Sequence, residues 1–208
     1  DEAYIEALGE QWADNQFSLP YLMKTFFESR LFFHPAYRGN MVKSPVHFYI
    51  GLCQDLRLDV APFQTRVLRG MSTMGQAFYN PPNVRGWLYG EYWINSTTIS
   101  ARRQLVDYLF ANLNEKKLNG NEQRALSAAR KAGRGNFLVT NERLKQVLSL
   151  ASDDLAKHFT TYFITAPSRP NYSKSLEEII GDTSSEGSAK RVRFAIIALL
   201  QSPAYNLS

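Results

Sequence analysis

Residues 62–87 read Pro62-Phe63-Gln64-Thr65-Arg66-Val67-Leu68-Arg69-Gly70-Met71-Ser72-Thr73-Met74-Gly75-Gln76-Ala77-Phe78-Tyr79-Asn80-Pro81-Pro82-Asn83-Val84-Arg85-Gly86-Trp87, and this stretch decides the fold class. Phe63, Val67, Met71, Met74 and Phe78 recur at steps of three and four, the spacing that gathers side chains on one face of an α-helix. Pro62 is tolerated at the opening, because the first helical N–H has no intrahelical partner to lose. Pro81-Pro82 forbids continuation, since each ring removes a donor and bars helical dihedrals in the residue before it. The pattern predicts a helix from Pro62 to the Asn80-Pro81-Pro82 turn, then a rigid loop carrying Trp87 and ending at Trp93-Ile94-Asn95-Ser96.

The same period runs outward in both directions. Upstream, Tyr4, Ile5, Leu8 and Trp12 make one helical face, and Ser18 with Pro20 opens a second helix along Leu22, Phe26, Phe27 and Leu31 that stops before Pro35. Ser44-Pro45 opens a third along Phe48, Leu52, Leu56 and Leu58, because serine caps and proline presets the first helical dihedral. Downstream, Ser96 to Thr98 offer caps for a helix through Leu105, Tyr108, Leu109 and Leu113, which Asn119-Gly120-Asn121 closes. An alanine- and charge-rich segment at 123–131 leads into Gly133-Arg134-Gly135-Asn136, expected as a mobile loop. Thr140 restarts a helix through Leu144 and Val147, and Asp153 another through Leu155, Phe159 and Phe163. Residues 166–171 read as a loop, Ser175 and Glu178 as a capping box, Gly181 to Gly187 as exposed, and Lys190 to Gln201 as a last helix before Ser202-Pro203. Strand-like alternation is scarce. The expectation is an all-α, irregular multi-helix bundle of about eight to ten helices with a Pro/Trp-rich loop, a single helical domain over 1–208.

Composition narrows the function classes. The chain has 208 residues, 44% of them hydrophobic, enough for a substantial core. Its net charge of +5 comes from 24 basic and 19 acidic residues scattered along the chain. The densest basic spots, Lys116-Lys117, the stretch 124–134 and Lys190-Arg191-Val192-Arg193, read as solvated helix faces rather than a nucleic-acid groove. One cysteine, Cys53, excludes an intramolecular disulfide and multi-cysteine metal sites, and its apolar setting reads as a buried inert thiol. No apolar run is long enough to cross a bilayer.

Three stretches together resemble a bacterial family, the domain-of-unknown-function family 1800. They are Lys43-Ser44-Pro45-Val46; Met74-Gly75-Gln76 through Asn80-Pro81-Pro82-Asn83-Val84, Gly86-Trp87 and Trp93-Ile94-Asn95-Ser96; and Leu200-Gln201-Ser202-Pro203-Ala204-Tyr205. The likeness runs from about residue 18 to 110 and resumes near 192, whereas 114–190 reads as a variable helical region. The resemblance implies an exported bacterial protein, periplasmic or extracellular, without agreed catalytic residues, encoded beside members of a second family, number 1501. It also implies a further N-terminal helical half, so that this chain is the C-terminal part of a longer protein. An apolar face near Trp12, Phe26 and Phe27 is then expected to stand exposed.

The candidate site is the loop. Asn80, Asn83, Arg85, Trp87, Tyr89, Tyr92 and Trp93 could form an aromatic platform for a glycan or an extended peptide, flat faces gripping and polar edges orienting. Equally, Trp87 and Trp93 could turn inward and lock the loop to the bundle, with Asn80 and Asn83 satisfying backbone groups. His34, His47 and His158 show no paired ligand spacing, Asp55, Asp59, Asp153 and Asp154 read as helix-terminus carboxylates, and no metal or cofactor is expected. The sequence therefore favours a non-enzymatic role in assembly or binding, as scaffold or companion of a secreted protein, whether a family 1501 member or the absent N-terminal half, or as a self-assembling envelope component. The competing reading is an enzyme or binding module acting on an extracellular polysaccharide or peptide through the Trp87 and Trp93 loop.

Overall fold

The computed structural model describes residues 2–150, 154–165, 172–182 and 187–208, apart from the side chains of Ser149 and Leu150. Among the described residues the protein is all-α, with ten α-helices, five short 3-10 turns and no strand; one isolated antiparallel bridge joins Val42 to Leu207. The chain divides into two compact units, residues 1–38 and 39–208, whereas the sequence reads as one helical domain.

The first unit holds α1 (Glu2–Asp14) and α2 (Leu19–Phe27). None of its described residues is buried, as expected for a segment too short to enclose a core. α2 ends at Phe27, one turn before the expected Leu31. There Ser29 Oγ accepts from the Phe32 N–H, and Phe26, Phe27, Phe32 and Phe33 meet edge to face at centroid distances of 4.9 to 5.3 Å. That aromatic packing outweighs the helical period. Phe26 and Phe27 are exposed and Trp12 is half-buried.

The second unit is built around α10 (Ser188–Leu200). Val192, Ala195, Ile196, Leu199 and Leu200 are buried at helical spacing, and a side chain of this kind contributes about 1.5 to 3 kcal/mol when fully enclosed. This face packs against α5 (Ser96–Phe110), α7 (Asn141–Leu150), α8 (Leu155–Phe163) and α9 (Tyr172–Ile180). α3 (Pro45–Asp55) adds Phe48, Tyr49 and Leu52 to the same core, and α4 (Gln64–Thr73) adds Met71. α6 (Gly120–Lys131) closes a smaller cluster of Phe63, Leu118, Leu126, Ala129 and Phe137.

Several helix ends differ from the sequence reading, each for a hydrogen-bonding reason. α4 stops at Thr73 instead of Asn80, because Gly75 takes φ +98° and a Schellman cap forms: Gly75 N–H donates to the Ser72 carbonyl at 2.9 Å and Gln76 N–H to the Met71 carbonyl at 2.9 Å. Phe78 therefore lies beyond the helix. Asn95, not Ser96 to Thr98, caps α5, and Asn119 opens α6 through a capping box with Glu122 instead of closing the helix before. Asp154 caps α8 by accepting from the Lys157 N–H at 3.0 Å, while Asp153 lies outside the described residues. Ser175 sits inside α9, so it caps nothing. The Gly133 to Asn136 segment is tied down by an Arg134–Asp59 ion pair at 3.0 Å and by the Asp59 N–H, which donates to the Asn136 carbonyl at 2.7 Å. The expected loop at 166–171 and most of the 181–187 stretch lie outside the described residues.

Candidate functional site

The loop after α4 is fastened at both ends. At its start, Gln76 Oε1 accepts from the Val46 N–H at 3.0 Å. That N–H belongs to the first turn of α3, whose early donors have no intrahelical partner; Ser44 Oγ takes a second at His47. A glutamine thirty residues away thus completes the cap of α3. At the far end the Trp93 indole is buried and packs over Gly75, a Cβ built there lying 3.8 Å from the ring. Thr98 Oγ1 donates to the Trp93 carbonyl at 2.9 Å, and Asn95 and Thr98 complete the capping box of α5.

Beneath these anchors lies a buried polar knot. Arg102 is 2% exposed, and its Nη2 donates to the Lys43 carbonyl at 2.8 Å and its Nη1 to Asn206 Oδ1 at 3.2 Å. Its guanidinium lies 4.8 Å from the Phe48 ring centroid, and burial lowers its pKa to about 10. The Lys43 N–H donates to the Asn206 carbonyl at 2.8 Å, and Lys43 Nζ lies 3.8 Å from the centroid of the Tyr205 ring. Burial lowers the Lys43 pKa, opposed by nearby Asp55 and reinforced by Arg102. Tyr205 O–H donates to Asp55 Oδ2 at 2.8 Å. The three stretches that carry the family resemblance, far apart in the chain, are thereby brought into one hydrogen-bonded assembly, which explains their composition as fasteners.

Between the anchors the loop turns outward. Asn83 Oδ1 accepts from the Arg85 N–H at 2.9 Å and the Asn83 carbonyl from the Gly86 N–H at 3.0 Å, a tight turn beyond Pro81-Pro82. Tyr79 holds a left-handed φ of 58° that places its ring in open solvent at 99% exposure. Tyr89 is 82% and Tyr92 70% exposed, and Val84 and Leu88 stand beside them in the chain, also open. Asn80, Asn83 and Arg85 are exposed. Trp87 is half-buried, with its indole Nε1 shielded and without a hydrogen-bond partner among the described residues. The seven candidate residues therefore divide: Trp93 belongs to the fastening, Trp87 lies between, and Asn80, Asn83, Arg85, Tyr89 and Tyr92 lie on the surface.

The other candidates have local structural duties. His34 Nδ1 accepts from the Ala36 N–H at 3.2 Å, and His158 stacks on Tyr162 with 13° between the rings. His47 has its pKa lowered by burial and by nearby Lys43. Asp55 ends α3 at its C-terminus, opposite to the N-terminal placement its sequence context suggests; its partner Tyr205 is what holds it there. Asp59 Oδ1 accepts from the Ala61 N–H. Cys53 is buried, and burial pushes its thiol up to about 12. Among the described residues no three His, Cys, Asp or Glu side chains are grouped to hold a metal ion, and no helix is long and apolar enough to cross a membrane.

Sequence reasoning missed Arg102, Gln76 and Asn206. Arg102 had a legible signal, since it stands four residues from Thr98 and from Val106, in the middle of the buried face of α5. Gln76 stands inside the motif, but its role, like that of Asn206, had no local signal, because their partners are remote.

An all-α bundle whose motif residues knit a loop to the core is the class that the fold and site define. The sequence matches, over residues 1–207, the family described as "Protein of unknown function (DUF1800)", and the chain belongs to that family. The 114–190 region, which the motif resemblance left out, falls within the match. Neither the curated proteins nor the solved structures yield a match.

Proposed function

We propose that the protein acts in assembly or binding, without catalysis, as the companion of another exported protein, and that the 78–92 loop is its contact surface. One observation carries the reading: the loop is locked at Gln76 and Trp93 and spends that rigidity on presenting Tyr79, Val84, Leu88, Tyr89 and Tyr92 to solvent. A pre-ordered loop loses little conformational entropy on binding, and tyrosines with aliphatic neighbours are the residues that protein interfaces favour. A sugar platform would present its tryptophans flat to solvent, whereas here Trp93 is buried and Trp87 half-buried. The aliphatic Val84 and Leu88 add apolar surface without hydrogen-bonding capacity, which suits a protein partner better than a polysaccharide.

The test is a photo-crosslinking side chain placed at Tyr89 in the source cells, followed by fractionation. Capture of one distinct exported protein, from the periplasm or medium, is the expected result. Crosslinks between copies alone would replace companionship with self-assembly, and recovery of the protein from the cytosol would overturn export.

A further inference from the structure

A cavity of about 470 Å³ opens between α4, α5 and the start of α6, and no residue of the 78–92 loop lines it. Its size is that of a small-molecule site. Tyr49, Met74, Leu105 and Tyr108 form an apolar floor, buried or half-buried. One wall is self-contained: Arg66 pairs with the buried Glu122 carboxylate at 2.9 and 3.3 Å and donates to the Lys117 carbonyl at 3.1 Å. Glu122 also accepts from the Asn119 N–H at 3.1 Å, so this pair has no need of a further ligand.

Three groups of the same cavity keep unused capacity: two exposed cations, of which Arg69 also acts on Glu122 from a distance, and the proton of one hydroxyl. Arg69 and Lys117 both line it, and neither side chain has a carboxylate within ion-pair distance among the described residues. With Arg66 cancelled by Glu122, they leave the cavity an excess of two positive charges. The Tyr108 hydroxyl is shielded from solvent, with the Arg66 guanidinium beside it and no acceptor for its own proton among the described residues. Gly70 lies inside α4, where glycine is less stable than alanine by about 1 kcal/mol. A Cβ built on it would meet the Tyr49 ring at 3.5 Å, an ordinary contact, so packing does not demand a glycine there. What its missing side chain does is leave the cavity wide.

We propose that this cavity binds a small organic carboxylate with a flat apolar body, the carboxylate facing Arg69 and Lys117 and the ring lying on Leu105, Tyr49 and Tyr108. A polar atom on the ring would accept the Tyr108 proton. This site is separate from the loop and stands whether or not the loop has a protein partner.

The probe is 4-hydroxybenzoate, titrated into the full chain and followed by calorimetry, with benzyl alcohol and galacturonate as comparators. Saturable binding of 4-hydroxybenzoate is expected, weakened at least tenfold by Arg69→Gln, abolished by Gly70→Leu, weakened by added salt, and unchanged by Arg103→Gln, which removes the same charge elsewhere. Absence of saturable binding at about 10 mM, where the interaction would be worth less than about 3 kcal/mol, overturns the proposal. So does equal binding to Arg69→Gln. Galacturonate bound as tightly as the aromatic acid overturns the apolar-body requirement, and benzyl alcohol bound as tightly overturns the role of charge. If Gly70→Leu fails to fold, Arg69→Gln alone decides.

Discussion

The base and the tip of the 76–93 loop use one residue vocabulary to opposite ends. At the base, Trp93 is buried over Gly75, while beneath the loop Tyr205 is fully enclosed between Lys43 and Asp55. At the tip, Tyr79, Tyr89 and Tyr92 stand in solvent. The difference teaches that aromatic content in a loop has two separable meanings. An aromatic whose neighbours include a glycine cleft or a half-buried carboxylate fastens; one flanked by a turn and a left-handed backbone presents. Both can be spelled Tyr or Trp within fifteen residues of each other, so only the surroundings distinguish them.

Substitutions should sort along that divide. Trp93→Ala removes a buried aromatic from the base and is expected to destabilise by about 3 to 5 kcal/mol in urea unfolding, the usual loss for such a truncation. A value under about 1 kcal/mol, typical of surface substitutions, would place Trp93 with the tip and break the comparison. Arg102→Met keeps an unbranched apolar stem but removes the guanidinium and both hydrogen bonds, leaving the Lys43 carbonyl and Asn206 Oδ1 unmet. A loss of about 3 kcal/mol is expected, with charged hydrogen bonds worth about 1.5 to 3 kcal/mol each. Asn95→Ala deletes the cap of α5 and should cost about 1 kcal/mol; a larger loss would show that the capping box also holds the loop end in place.

The core beneath the base also makes the stability depend on alkaline pH. Cys53 has its folded pKa raised from 9.0 to about 12 by burial, so the folded state keeps the proton that the unfolded state gives up. Its contribution is fully present below pH 9 and is lost as pH rises through the folded value. Cys53→Ala should therefore flatten part of the decline in stability between pH 9 and 12, measured by chemical denaturation across that window. The thiol should also resist alkylation at pH 8 until the protein unfolds. The smallest effect on stability is expected at the tip: Tyr89→Ala should change it by less than about 0.5 kcal/mol and yet abolish crosslinking to a partner. A destabilising Tyr89→Ala would mean that the tip, too, is structural.

Much of the fold was legible because helices declare themselves locally. The face of α10 and the Phe48 and Leu52 positions of α3 read directly from three- and four-residue spacing, although Leu56 and Leu58, read into the same helix, lie beyond its end at Asp55; Ser44-Pro45 marks the start of α3 through chemistry contained within one turn. The errors cluster where local signals compete. Asn119 carries equal credentials for ending one helix and starting the next, and only the Glu122 side chain reaching back to its N–H decides for the second. Phe78 continues the apolar period of α4, but the left-handed dihedral at Gly75 ends the helix before reaching it.

The sequence by itself determined the all-α class, the positions of most helices, the burial of the lone cysteine and the family. Those follow from periodicity, capping chemistry and a motif, all read along the chain. Tertiary structure alone decided that Trp93 faces inward while Tyr89 faces out, that Gln76 caps a helix thirty residues away, and that Arg102 joins Lys43 to Asn206. The physical reason is that a polar or aromatic side chain is committed by whatever fills the space around it, and that space is assembled from segments that never adjoin in sequence.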